Sequence, residues 1–278
     1  MSLGKGGGIT GQLRLFMEGA VLSYRGMFRW LRPITYLASK IVMPLASMIF
    51  FTLLGTYGGS KEASFFIIGN AMQIAAVSGI YGVTMSIGGD RWDGTLPYLF
   101  GSPANRLMVF FGRSFIHIAD GVLGVIIAFG WGILLLGLRF SPSCAPALLL
   151  AILTVVYATS GMGLLMGCVA LISRNVMFVN NTVFFLLLLF SGANIPVETL
   201  PGWMRGISAC LPLTRGIEAA RLIIASGGLS AGHGGMAGSA GALLLREIMI
   251  GTAYLAAGYL LFRVFERRAK MTGSLETM

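Results

Sequence analysis

Residues 145–172 read APALLLAILTVVYATSGMGLLMGCVALI, a run without a single charge. A helix rises about 1.5 Å per residue and a bilayer's hydrocarbon core is ~30 Å thick, so about 20 such residues suffice to cross. Runs of similar character occupy 34–57, 65–87, 107–138 and 176–193. A sixth, 242–262, carries Arg246 and Glu247 near its start. Lipid offers no partner to a free amide or carbonyl, whereas a helix satisfies its own backbone. The pattern therefore predicts one all-α polytopic membrane domain with six transmembrane helices. A composition of 56% hydrophobic against 11% charged residues excludes an ordinary soluble domain.

Charge sets the expected orientation. With the N-terminus inside and six crossings, Lys5, Arg14, Arg25, Arg29, Arg32, Lys40, Arg91, Arg106, Arg113, Arg174, Arg263, Arg267, Arg268 and Lys270 fall at or near the cytoplasmic face. Lys61, Arg139, Arg205, Arg215, Arg221 and Arg246 fall outside. That excess of inner cations satisfies the positive-inside bias and predicts cytoplasmic N- and C-termini in a plasma (inner) membrane. The net charge of +10 is then a topology signal and an attraction to anionic lipid. No basic patch interleaved with aromatics supports nucleic-acid binding. The first apolar span begins too late for a cleavable signal peptide.

Residues 12–31 precede the first span and form an amphipathic pattern. Leu13, Phe16, Met17, Ala20, Val21, Tyr24, Met27, Phe28 and Leu31 share one face at 100° per residue, with Arg14, Glu18, Arg25 and Arg29 opposite. This predicts an interfacial helix whose arginines reach the headgroups; the alternative is a solvated helix that docks a soluble partner. Arg32-Pro33 breaks the helix where the chain turns into the bilayer. Cys144, Cys168 and Cys210 lack metal-ligand spacing, and a Cys144–Cys210 disulfide is left open.

Two interruptions carry the functional reading. Between the second and third spans, residues 88–106 read GGDRWDGTLPYLFGSPANR. Thr95 is a helix N-cap candidate, Gly101 a stop, and Ser102-Pro103 a cap followed by proline at the first helical position. The loop is expected to hold a short helix, a rigid peg suited to passing on force. Between the fifth and sixth spans, 194–225 contains prolines at 196, 201 and 212 yet stays fairly apolar. Short re-entrant or surface helices are expected there, because irregular backbone at membrane depth must be buried in protein or line a cavity. Such helices would form an outer gate or a structural cap.

The first loop, with Asp90, Gly94, Thr95, Leu96, Leu99, Ser102, Pro103 and Arg106, resembles the corresponding loop of type-2 ABC exporter permeases, the polysaccharide, nodulation-factor and drug exporters. Pro97 departs from the acidic residue common there. The second segment is similar to the same family's stretch after its fifth span, on Pro196, Leu200, Pro201, Trp203, Pro212, Glu218 and Arg221. The resemblance implies an exporter permease for an amphiphilic, drug-like or lipid-linked cargo, assembling as two permease copies with two separate ABC ATPase subunits. It implies no cofactor on this chain, with ATP and Mg held by the partner. The absence of any G-x-x-x-x-G-K-[ST] in the sequence agrees.

Polar residues within spans are further candidates. Arg113, His117 and Asp120 share a face of the third span, either as a structural ion pair with His117 between or as a relay in a proton-coupled secondary transporter, the alternative function. Asn70, Gln73, Asn180 and Asn181 either face a substrate path or join helices by hydrogen bonds. Gly161, Gly163 and Gly167 permit close helix approach.

Overall fold

In the computed structural model, described residues are 11, 14, 16–21, 33–59, 61–92, 94, 98, 106–170, 175–229 and 239–272. Every regular element among them is helical. Helix α1 is Pro33–Tyr57. Ala63–Ala76, a π-helical stretch Val77–Gly82 and Val83–Trp92 follow without a break and together form α2. Then come α3 (Arg106–Leu136), α4 (Ala145–Ala170), α5 (Val176–Phe190), the short α6 (Gly202–Cys210) and α7 (Thr214–Ser226), and α8 (Ala240–Thr272). Helices α1, α2, α3, α4 and α8 are long and apolar enough to cross a membrane. The chain is an all-α, multi-pass membrane protein.

Helix α4 is the hub. It packs against α2, α8, α7, α3 and α5, and it does so through small residues. A Cβ on Gly163 would run into the Gly79 carbonyl and lie 3.0 Å from Val83, and one on Gly251 would lie 2.6 Å from the Ala158 backbone. Lipid tails are as apolar as the side chains they would replace, so membrane helices gain little from hydrophobic burial against each other and associate by such close packing. Helices α2 and α4 are mostly buried, whereas α1 and α8 turn most of their surface outward.

Three boundaries differ from the sequence expectation. The run 176–193 yields a helix of only 15 residues, because Gly192 at φ +80° turns the chain after Phe190. Its start is fixed by Asn175, whose side chain accepts from the Phe178 amide at 3.0 Å. The loop expected from residue 88 begins later, after Trp92. Gly88 does not end α2, since it is buried against Ala170, and that packing outweighs a propensity loss of about 1 kcal/mol. Helix α8 runs ten residues past the expected 262, with Arg263 and Arg267 on its extension.

Two ends can be distinguished. The basic end holds Trp92, Arg106, Ala170 and the end of α8; the cap end holds the α1–α2 turn, α6 and α7. Near the basic end, residues 16–21 are helical. The Phe16 ring lies 5.6 Å from that of Phe115, so this segment rests on α3. Arg14 is exposed and pairs with Glu18 at 2.7 Å. Arg25 and Arg29 lie outside the described residues.

Candidate functional site

The cap is built on two ionisable side chains drawn largely out of solvent. Arg221, on α7, points its guanidinium at the carbonyls of Phe65 (2.9 Å) and Ala193 (3.1 Å) and sits 3.4 Å over the Phe65 ring. It thereby joins α7, the start of α2 and the turn after α5. Burial holds it well below its ordinary value, at about 9, while Glu198 and Glu218 pull it upward. It remains a cation at neutral pH, held by oxygens and a π face that substitute for water.

The second is Glu247 of α8, fully buried. Its carboxylate accepts from the backbone amide of Leu213 and, at 3.1 Å, from that of Gly216. These are free amides at the N-terminus of α7, where no local side chain caps the helix. Leu213 has φ +88°, alone among the described non-glycine residues in that region, so the turn before α7 is strained and the carboxylate holds it. In sequence, Glu247 stands out only as an acidic residue near the start of the sixth apolar run.

The remaining cap residues have distinct surroundings. Pro196, Leu200 and Pro212 are buried, while Pro201 and Trp203 face outward. Glu218 pairs with Arg215 at 3.1 Å on the exposed side. The Ser208 hydroxyl donates to the Phe190 carbonyl, securing α6 to the end of α5. Gly227, at φ +89°, closes α7 with a left-handed cap. Cys144 is buried, Cys210 exposed, and both are free thiols.

The intramembrane polar residues do not form one cluster. Asn70 donates to the Phe66 carbonyl and to Asn194 Oδ1, both at 2.9 Å. Asn181 accepts from Tyr81. Gln73 and Asn180 are buried, their amide atoms without a hydrogen bond among the described residues. The Asp120 carboxylate takes Lys40, Tyr36 and Ser78, partners the sequence does not pair with it; the Arg113 side chain lies outside the described residues. His117 lies against Gly82, at the end of the π stretch. The sequence placed Lys40 at the membrane face; it lies two turns into α1, which is the signal that a partner was needed.

A cavity of about 540 Å³ lies between α1, α2, α5 and the turn after it. Its lining is apolar (Phe51, Leu54, Phe66, Phe185, Leu188) except for Asn194, whose buried Nδ2 has no acceptor among the described residues.

Of the loop between α2 and α3, Asp90 lies in the last turns of α2, Arg106 opens α3, Gly94 (φ +65°) turns the chain, and Tyr98 is exposed. Thr95, Leu96, Leu99, Ser102 and Pro103 lie outside the described residues. The ABC-2 type transporter family model matches residues 18–225, from the N-terminal segment through α7.

The chain belongs to the ABC-2 type transporter family. No curated protein matches it. An ABC-2 membrane domain is the permease of an ABC transporter, and this family works with ABC ATPases. In this ABC-2 permease the matched region includes both buried-charge anchor points of α7, at Arg221 and Leu213, while Glu247 lies beyond it.

Proposed function

We propose that the chain is the permease of an ATP-driven exporter for an amphiphilic cargo. Two copies assemble with two ATPase subunits in the plasma membrane, both termini facing the cytoplasm. ATP and Mg belong to the ATPase, and the loop between α2 and α3 receives its movement through Leu96 and Leu99. The α6–α7 cap serves as the outer gate. The observation that supports an amphiphilic cargo is the cavity between α1, α2, α5 and the turn after it: its apolar walls enclose a drug-sized volume that fits a greasy molecule.

The test is the permease co-expressed with its ATPase, purified and placed in liposomes, with ATP turnover read against a panel of amphiphiles. Replacing Leu96 and Leu99 by Asp is expected to abolish cargo-stimulated hydrolysis and weaken ATPase co-purification. Wild-type coupling in that variant would refute the loop's role. Uphill movement of cargo by the permease alone would refute ATP-driven export.

A further inference from the structure

Helix α1 is a wall of the cavity that turns most of its surface outward, and one polar junction joins its basic half to the rest. Lys40 Nζ donates to Asp120 Oδ2 and, at 3.2 Å, to Ser78 Oγ. Ser78 Oγ donates to the same Asp120 oxygen at 2.9 Å, and the Tyr36 hydroxyl donates to the other. The Lys40 and Asp120 side chains are 18% and 11% exposed, so the pair is mostly, not fully, withdrawn from its surroundings.

The backbone is shaped for it. Ser78 sits in the π-helical stretch of α2, where the extra residue per turn redirects a side chain. On α3, Gly121 keeps the socket open, since a Cβ there would lie 3.2 Å from Ser78 Cβ, and Gly124 lets α3 approach Ile74 of α2, where a Cβ would lie 3.0 Å from that side chain. Helices α1, α2 and α3 thus meet at one charge-assisted junction. Elsewhere α1 presents Phe50, Leu53 and Leu54 outward.

We infer that the Lys40–Asp120 pair is the positioning tie through which movement of the α2–α3 hairpin reaches α1 and the cavity wall. This rests on the proposed role of the α2–α3 loop as the ATPase contact. Apolar helix faces in lipid are held by packing alone, because neither side gains by burial. A charged, three-donor junction in low dielectric does not slide, since separating it leaves a bare carboxylate. From Lys40 to Leu53, α1 extends about 20 Å. Pro44, one turn beyond Lys40, removes the amide that the Lys40 carbonyl would accept from, and a shift at the junction passes this point to reach Phe51, Leu54 and Gly55.

The experiment uses the permease with its ATPase in liposomes, reading cargo moved per ATP hydrolysed. Lys40→Met and Asp120→Asn are each expected to keep ATP hydrolysis within about twofold and to lower cargo per ATP by about tenfold or more. The swap Lys40→Asp with Asp120→Lys is expected to regain most of the ratio. The double variant Lys40→Met with Asp120→Leu separates stability from coupling, because an apolar pair in place of a buried ion pair is often neutral for folding. It is expected to unfold close to the wild type, losing only what the Tyr36 and Ser78 hydroxyls gained from Asp120, and to stay uncoupled. A wild-type ratio in that variant, or transport and hydrolysis falling in step with folded protein, overturns the inference. A wild-type permease that binds no ATPase sinks the proposed function instead.

Discussion

Replacing Glu247 by Ala removes the acceptor for the Leu213 and Gly216 amides at the start of α7. The site is fully buried, so water does not replace it. Each stranded buried donor costs about 1–3 kcal/mol, and the pair about 2–6 kcal/mol. For a chain of this size that is a fall in melting temperature on the order of 10 °C. Glu247→Gln keeps one acceptor oxygen and is expected to lose about half as much. Thermal unfolding in detergent, followed by the fraction remaining monodisperse, reads the effect. Glu218→Ala serves as the comparison, since its ion pair with Arg215 is largely exposed and contributes about 0–1 kcal/mol. If Glu247→Ala and Glu218→Ala melt together, the carboxylate does not hold α7 and the account of the cap fails.

Arg221→Ala strands two carbonyls and should cost about 2–4 kcal/mol in the same unfolding assay, with Arg221→Lys between it and the wild type, because an ammonium cannot keep both carbonyl contacts and the stacked ring. Gly163→Val drives a side chain into the Gly79 carbonyl and should destabilise by about 3 kcal/mol or more, whereas Gly206→Ala, with open space around it, should be near neutral. Membrane-impermeant thiol labelling of Lys61→Cys and Lys270→Cys should report opposite sides of the membrane; labelling from the same side overturns the proposed orientation.

The long spans were legible because lipid imposes one rule on every backbone group, and a run such as 145–172 obeys it without exception. The short helices after α5 were legible from Pro196, Pro201 and Pro212. Helix ends were less so. Gly88-Gly89 reads as a break in isolation, and only the approach of Ala170 shows why the helix continues. Buried charge was the hardest part. Lys40 finds Asp120 and Ser78 across three helices far apart in sequence, and nothing local to Lys40 names them. Glu247 answers a need created at Leu213, on another helix. The Asn70–Asn194 bond is of the same kind, one half noticed and its partner not.

Helix α5, with 15 residues, reaches only about 22 Å. Where the other long helices match a full hydrocarbon thickness of about 30 Å, this flank leaves roughly the last quarter to a turn, a bound guanidinium and amide groups. The dielectric barrier is therefore locally thinned. A molecule travelling beside α5 would meet polar surroundings well before it cleared the bilayer.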